Sequence, residues 1–280
     1  MKDTESTPGV ASAAPVRLAL GVEYQGHHYH GWQRQKNDSV DTVQAKVEKA
    51  LSIIANEPIS IICAGRTDAG VSGCNQVIHF DTHARRDERA WVLGTNAKLP
   101  DDIAIRWAKP VSQDFHARFS ATGRRYRYVI YCSPMRPALL ARGVTWTYLP
   151  LDVSKMQEAA KHLVGEHNFN AYRAVQCQAR SPVRTVKHLK VTQVGQLIVI
   201  DVAANAFLHH MVRNFAGVLM AIGAGEQPPS WAKEVLDSQD RRCGGVTARP
   251  EGLYFVDVEY PEVFELPDYP IGPYFIPGLD

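Results

Sequence analysis

A ten-residue loop, residues 64–73, carries the carboxylate in this chain that is best suited to chemistry. Three of its residues are glycine, which permits tight turns and close approach of a ligand. Asp68 stands among them, and Arg66 precedes it by two residues. A neighbouring positive charge favours the ionised form of a carboxylate. An ionised carboxylate in a tight loop can act as a nucleophile or as a base, so Asp68 is a candidate catalytic group.

A plain turn is the competing interpretation of this loop. In that case Asp68 accepts hydrogen bonds from nearby amides and Arg66 is solvated. The apolar runs at residues 59–63 and 76–80 predict a strand on either side of the loop.

Arg213 is the second unusual charge, because it lies within a run, residues 207–223, that predicts a long apolar helix. A charge among apolar residues needs a partner, and Asp68 would be a natural one. The alternative is exposure on the outer side of the helix. We predict a buried or partly buried ion pair between Asp68 and Arg213.

Two groups of histidines invite a metal interpretation: His27, His28 and His30, and the adjacent pair His209 and His210. Neighbours on a helix point about 100° apart, so the pair cannot readily bind one ion, and the H-E-x-x-H pattern is missing. The sequence therefore predicts no metal site. The competing hypothesis, a metal-dependent hydrolase, predicts inactivation by chelators. The glycine patterns of nucleotide-binding loops are also missing, which predicts no nucleotide cofactor.

The elements that position these groups follow a repeated order. The first half predicts a strand, a helix, two strands, a helix and a strand, at residues 16–24, 42–55, 59–63, 76–80, 87–99 and 103–108. The second half predicts the same order, with a hairpin that turns at Gly195, at residues 124–132, 152–164, 183–194, 197–203, 207–223 and 252–260. A further short helix is predicted at residues 230–237.

The order β-α-β-β-α-β thus occurs twice, which indicates an α+β fold made of two ferredoxin-like halves. We place these halves at residues 16–112 and 113–262. A disordered tail at residues 1–15 precedes them, and a Pro-rich tail at residues 263–280 follows them.

Composition limits the class of protein. The formal net charge of the 280 residues is only +2, so a nucleic-acid partner has to be argued from local clusters of charge. Five scattered cysteines without a C-x-x-C pattern fit reduced thiols in the cytoplasm. The sequence shows neither a membrane-spanning apolar run nor a signal peptide. A cytoplasmic protein without a membrane partner is the expectation.

Positive charge is concentrated in two acid-free stretches of the second half. The basic residues between Asp114 and Asp152 are Arg118, Arg124, Arg125, Arg127, Arg136 and Arg142. Those between Glu166 and Asp201 are Arg173, Arg180, Arg184, Lys187 and Lys190. Arginines interleaved with aromatic rings are typical of RNA recognition, and Arg suits phosphate better than Lys does. The alternative is that they form solvated strand faces and charged sheet edges.

Seven motifs together resemble the TruA family of tRNA pseudouridine synthases, and they occur in order across nearly the whole chain, at residues 31–33, 64–71, 76–80, 115–121, 125–128, 207–214 and 251–254. The resemblance implies isomerisation of uridine to pseudouridine at positions 38, 39 and 40 of the tRNA anticodon stem-loop. It implies no cofactor, and a homodimer that binds tRNA across both subunits. It also implies that the two halves form one continuous, mostly antiparallel sheet with helices on one face.

The resemblance further implies roles for individual residues. Asp68 matches the catalytic aspartate, Tyr126 the tyrosine that packs against the target base, and Arg213 the basic partner of the aspartate. Leu253 matches an apolar pocket residue, and Arg66 an arginine linked to base flipping. The residues that match tRNA-contacting positions are Arg86, Phe115, His116, Ala117, Arg118, Phe119, Gln176, Cys177, Gln178, Ala179 and Arg180.

The sequence departs from the family beside the catalytic loop, where Ser72 stands in place of a common histidine. Three routes for Asp68 stay open: addition to the base, attack on the sugar carbon, and removal of a 2′ proton. A rival of another class is a duplicated RNA-binding module that has lost catalysis. That rival predicts that Asp68→Asn leaves all function in place.

Overall fold

One ten-stranded sheet organises the protein, which a computed structural model describes for residues 14–36 and 39–279. The predicted N-terminal tail therefore lies almost entirely outside the described residues. The strands are β1 Val16–Tyr24, β2 Ile62–Cys63, β3 Ser72–Thr82, β4 Ile103–Val111, β5 Gly123–Cys132, β6 Thr145–Thr147, β7 Gly165–Asn168, β8 Val183–Val194, β9 Leu197–Ala204 and β10 Leu253–Glu259. Of the nine pairings among the described strands, only β3 with β10 and β5 with β6 are parallel.

Four α-helices accompany the sheet: α1 Val43–Ala55, α2 Val153–Lys161, α3 Met211–Gly223 and α4 Trp231–Ser238. The Thr42 and Asp152 side chains cap α1 and α2 by accepting hydrogen bonds from the amides of Ala45 and Lys155. A shorter π-helical segment, Ala90–Gly94, stands within the predicted second helix. No described helix is long and apolar enough to cross a membrane.

The sheet order confirms two ferredoxin-like halves in one continuous sheet. The main path is β4-β1-β3-β10-β5-β9-β8-β7, with β2 paired to β3 and β6 paired to β5. In each half the fourth strand lies beside the first, then the third, then the second. The halves meet where Tyr254 and Phe255 of β10 pair with Ser72 and Gly73 of β3. This junction follows Asp68 directly in the chain. We propose residues 112 and 113, in the loop between β4 and β5, as the boundary between the halves.

The helices pack on one face of the sheet in each half, as expected. Alternate side chains of β1, such as Leu18 and Leu20, contact the first-half core with α1, while Ala19 between them faces the other side. The segment between β4 and β5 and the Pro-rich tail cover that other face. The fully buried ring of Phe115 lies 5.2 Å from the rings of Tyr260 and Phe264 there.

Two predicted boundaries are wrong. The long apolar helix does not begin at Phe207, because His210 has a left-handed backbone (φ 61°) and α3 starts only at Met211. The strand before the Asp68 loop is reduced to Ile62–Cys63, while the strand after it extends over Ser72–Thr82. β3 is longer because it lies between β1 and β10, and nearly all its side chains are buried.

Candidate active site

The Asp68 loop joins β2 to β3 and is tied firmly to the strand that follows it. The amide of Ala64 donates to the carbonyl of Val77 over 2.8 Å. The side-chain amide of Gln76 bonds both the N–H and the carbonyl of Gly65. The Val71 amide closes a turn on the Asp68 carbonyl at 3.1 Å. These bonds hold the Asp68 loop against the sheet.

Trp32, in the first of the seven motifs, supports the loop from the other side. Its amide donates to the Thr67 carbonyl over 3.0 Å. The Thr67 hydroxyl in turn lies 2.8 Å from the buried Tyr24 hydroxyl. Gly70 has a φ of +81°, and an added Cβ would lie 3.0 Å from Pro250, so this turn requires glycine. Asp68 therefore rests on a rigid base.

Three basic side chains surround the Asp68 carboxylate. His209 Nε2 lies 3.2 Å from Oδ1, while His210 Nε2 and Arg213 Nη1 lie 3.3 and 3.8 Å from Oδ2. Asp68 is 31 % exposed and Arg213 only 14 %, which confirms the predicted, partly buried ion pair. Arg213 is fixed by its Nε–H, which donates to the Ala248 carbonyl over 2.7 Å.

Arg66 is not the ionic partner of Asp68. Its side chain is exposed and forms no hydrogen bond or ion pair with the described residues. The positive charge beside the carboxylate comes instead from α3 and the residues before it, which belong to the second half of the chain. The site is complete only where the two halves meet.

The two adjacent histidines occupy positions that helical geometry would forbid. Because His210 has a positive φ and α3 begins after it, both imidazoles turn to the same side. Their ring centroids are 4.0 Å apart, at an interplanar angle of 37°. Burial lowers the pKa of His210; the Asp68 charge opposes this, while His209, Arg213 and Arg241 add to it. The net effect is a pKa below the ordinary value for His210.

Asp68, His209 and His210 are the one group in the described ranges whose ligand atoms could hold a metal ion. Those atoms lie within 4.8 Å of one another. The sequence argument against the histidine pair is therefore wrong, because it placed both residues inside the helix.

Tyr126 lies on β5 between two aromatic rings, with centroids 4.9 Å from Phe207 and 4.9 Å from Phe255. Burial, and then the charge of Asp68, raise the pKa of its phenol far above the usual value. Its hydroxyl forms no hydrogen bond with the described part of the chain, so it is available to a ligand. Leu253 is buried at the start of β10, opposite Tyr128. The structure thus brings Tyr126 within range of the Asp68 charge.

The segment at residues 115–119 is half buried. Phe115 and Ala117 are part of the core and anchor the segment. Its accessible members are His116, Arg118 and Phe119, of which Phe119 is 75 % exposed. The Arg118 guanidinium lies 5.5 Å from the Phe119 ring centroid, so these two side chains form a cationic and aromatic surface.

The segment at residues 176–180 alternates between the surface and the core. The exposed members are Gln176, Gln178 and Arg180, while Cys177 and Ala179 pack against the second-half core. Just before it, the Ala174 amide donates to the His209 carbonyl over 2.9 Å. Because His209 contacts Asp68, this bond fixes the segment beside the Asp68 loop.

Arg86 is not brought to the site. It follows the far end of β3, while Asp68 precedes the near end, and the eleven residues of that strand span roughly 33 Å. Its Nε donates to the Ile54 carbonyl over 3.4 Å and its Nη1 to the Arg85 carbonyl over 3.3 Å. Its contact with tRNA stays a prediction.

Three arginines of the first acid-free stretch face the protein rather than solvent. Arg125 and Arg127 both bond Asp201, and Arg127 is only 1 % exposed. Arg124 donates to the carbonyls of Ala64 and Arg118, and thereby links the Asp68 loop to the 115–119 segment. The prediction of an RNA-facing surface is therefore wrong for these three residues, because their partners lie on neighbouring strands and loops.

Replacement of Arg213 should affect turnover much more than binding. Arg213→Ala removes the charge beside Asp68 while the segments at residues 115–119 and 176–180 stay intact. We expect the single-turnover rate to fall about 100-fold, the scale of one lost electrostatic contact in an active site. The Kd for tRNA should change much less. Rate and filter-binding measurements on the same preparations test this, with Arg213→Lys as the charge-preserving control. An unchanged rate in Arg213→Ala would contradict the assigned pairing.

Comparison with known proteins gives a consistent result. The family model described as tRNA pseudouridine synthase matches residues 21–120 and 159–261. A Pseudomonas aeruginosa protein named tRNA pseudouridine synthase A is 59 % identical over 269 residues, which cover 96 % of this chain and 94 % of that protein. Proteins of the same name are 56 % identical in Mannheimia succiniciproducens, over 93 % of this chain and 98 % of theirs, and 56 % in Salmonella typhimurium, over 96 % and 98 %.

Proposed function

This chain belongs to the TruA family of tRNA pseudouridine synthases, and we propose that it isomerises uridine at positions 38, 39 and 40 of the tRNA anticodon stem-loop, with Asp68 as the catalytic carboxylate. That it is an isomerase acting on tRNA follows from the family. One observation supports the residue assignment best: Asp68 is accessible at the junction of the two halves, with a fixed arginine 3.8 Å from its carboxylate.

The reaction requires little from the protein except position and charge. The bond between C1′ and N1 breaks and a bond between C1′ and C5 forms, while C5 loses a proton and N1 gains one. Neither oxidant nor reductant takes part. A carboxylate placed near the sugar or the base serves all three routes open to Asp68. Arg213 would stabilise the negative charge of the Asp68 carboxylate before it reacts with the substrate and again after the product has formed.

Tyr126 is better suited to contact the target uracil than to accept a proton as a general base. Its raised pKa keeps the phenol protonated at neutral pH. The partly buried ring, between Phe207 and Phe255, offers an aromatic surface for an unstacked uracil. The free hydroxyl could donate a hydrogen bond to that base.

Arg66 fits a role in extrusion of the target nucleotide. Removal of a base from its stack costs a few kcal/mol. Arg66 is exposed, lies two residues from Asp68 and has no partner among the residues described. Its guanidinium is therefore free to occupy the vacated space and to stack on the neighbouring bases.

The proposed positions can be tested with transcripts that carry uridine at only one of positions 38, 39 and 40. A transcript with uridine only in the T-loop is the matched control. Pseudouridine mapping after carbodiimide treatment should show modification at each of the three positions and none in the control. Modification confined to the T-loop would overturn the proposed site specificity while leaving the isomerase assignment in place.

Affinity for tRNA should depend steeply on salt, because phosphate contacts release counterions. Arg118 is exposed, and its guanidinium lies over the Phe119 ring without a hydrogen bond or ion pair to the described residues. We expect Arg118→Gln to reduce the slope of log K against log salt by about 1. Arg118→Lys should retain the slope. If the affinity of the wild type for tRNA did not change with salt, the argument for RNA binding through the arginines of the two acid-free stretches would fail.

We also propose a homodimer that binds tRNA across both subunits, on the grounds of family membership. Sedimentation at equilibrium should give about twice the 31.1 kDa mass of the chain. One tRNA-dependent crosslink to each of two differently tagged subunits would support shared binding, whereas a monomeric active species would exclude it.

A further inference from the structure

We propose that Asp68, His209 and His210 form a binding site for a divalent d-block cation such as Zn²⁺, and that an ion bound there inhibits isomerisation by occupying Asp68. The binding part stands on the geometry of the three side chains. The inhibition part rests on the proposed catalytic role of Asp68.

The distances between the ligand atoms fit one tetrahedral ion. Zinc bonds to nitrogen and oxygen are about 2.0–2.2 Å long, so neighbouring ligand atoms of a tetrahedron lie about 3.3–3.5 Å apart. His209 Nε2 lies 3.2 Å from Oδ1 of Asp68, and His210 Nε2 lies 3.3 Å from Oδ2, so each imidazole faces a different oxygen of the carboxylate at about this separation. All three ligand atoms lie within 4.8 Å of one another. Small side-chain rotations would suffice to bring them around a common centre.

The Asp68 carboxylate is not committed to hydrogen bonds. Although both imidazole nitrogens are near it, neither contact has hydrogen-bond geometry, and no other described group donates to this carboxylate. His188 and Asp201 provide the contrast within the same chain, because their Nε2 and Oδ1 atoms form a hydrogen bond at 2.9 Å. An ion at the Asp68 site would therefore displace no hydrogen bond of the protein.

The donor set selects the class of ion. Two imidazole nitrogens and one carboxylate oxygen are the ligands found in zinc sites that keep a fourth position open. Ca²⁺ and Mg²⁺ prefer sites made of oxygen ligands. Asp68 is about one-third exposed, so an ion and its remaining water have access from solvent.

Arg213 limits the affinity of the site. Its Nη1 lies 3.8 Å from Oδ2, and its Nε is held by the Ala248 carbonyl, so the positive charge cannot easily move away from an incoming cation. Repulsion at this distance makes the ion exchangeable. We therefore expect the ion to act as a reversible inhibitor and not as a permanently bound cofactor. A metal-bound carboxylate cannot simultaneously serve the reaction.

Co²⁺ is the probe for binding, because its visible absorption reports tetrahedral coordination. Chelator-treated protein without RNA should bind one equivalent of Co²⁺, and Zn²⁺ should displace it. His209→Phe and His210→Phe each keep a ring in the stack but remove a ligand nitrogen, and we expect at least a tenfold loss of affinity. Asp68→Asn, which preserves shape, should also weaken binding.

The other adjacent histidine pair is the matched control. The rings of His27 and His28 are also close, with centroids 4.9 Å apart in an edge-on arrangement, but these residues are not part of the three-residue group. The double variant His27→Phe/His28→Phe should bind Co²⁺ like the wild type. Binding that is unchanged in His209→Phe and His210→Phe, or lost in the control, would overturn the site.

Inhibition is measured separately, as the rate of tritium release from labelled tRNA with Zn²⁺ or Mg²⁺ added. Zn²⁺ should inhibit at the concentration that displaces Co²⁺, and Mg²⁺ should not. Zn²⁺ bound at the site without inhibition would overturn the inhibitory part. Co²⁺ binding is measured without RNA. The binding result therefore stands even if the proposed catalytic function of Asp68 is wrong, and the two failures can be told apart.

Discussion

Asp68→Asn should reduce tritium release from [5-³H]uridine-labelled tRNA by about 10⁴-fold or more, the scale seen when a catalytic nucleophile or base is removed. The amide has nearly the same shape as the carboxylate but neither its charge nor its basicity. No described group donates a hydrogen bond to the Asp68 carboxylate, so the substitution removes no hydrogen bond that supports the fold. The Kd for tRNA should therefore stay within a few fold.

Asp68→Glu separates charge from position in the same assay. It keeps a carboxylate but moves it by one methylene, and a displacement of about 1 Å costs on the order of 100-fold. Urea unfolding midpoints of both variants should match that of the wild type. If neither the wild type nor Asp68→Asn released tritium while both bound tRNA tightly, the result would instead favour an RNA-binding module without catalysis.

Much of the fold could be predicted because its signals are local. Alternation along β8 and β9, with Gly195 at the turn, predicted a hairpin that the structure contains, and Gly195 has a φ of +59°. The repeated order of strands and helices predicted two similar halves. The boundaries near residue 207 were wrong because apolar periodicity continues before α3, while the backbone at His210 interrupts the helix.

The candidate site could be predicted only in part, since its geometry depends on contacts between the halves. Composition and motifs indicated Asp68 and Arg213, and the structure places them together. The positions of His209 and His210 depend on one positive φ that no pattern encodes. The prediction that the arginines of β5 face RNA is wrong because they pair with Asp201. Asp201 lies directly opposite Arg127 on β9, and this pairing can be identified only once the strand register is known.

Asp201 supports the largest expected effect on stability. Its carboxylate accepts from Arg125 Nε and Nη2 and from Arg127 Nε, each over 2.7 Å, and it bonds His188 Nε2. Arg127 extends this network to the C-terminal tail, because its Nη1 donates to the carbonyls of Ile271, Gly272 and Leu279. The network therefore joins β5, β8 and β9 to the tail.

Asp201→Asn should lower the free energy of unfolding by about 3–5 kcal/mol, because it leaves two arginines without their counter-charge in a mostly buried site. Asp81→Asn is the matched control. Asp81 binds the Nε and Nη2 of Arg17 in the same forked geometry, at 2.8 and 2.7 Å, but is 42 % exposed. That variant should cost at most about 1 kcal/mol. Equal urea midpoints for the two variants would contradict the importance of burial.

The dependence of this difference on pH provides an independent check. Burial raises the pKa of Asp201, but the hydrogen bonds from His188, Arg125 and Arg127 outweigh it and lower the pKa well below the ordinary 3.8. A carboxylate with a depressed pKa stabilises the fold above its unfolded value and loses that contribution as the pH falls toward its folded value. The difference in the free energy of unfolding between wild type and Asp201→Asn should thus be largest at neutral pH and become smaller below about pH 4. A gap that stays constant down to pH 2 would show that the lost stability is steric rather than electrostatic.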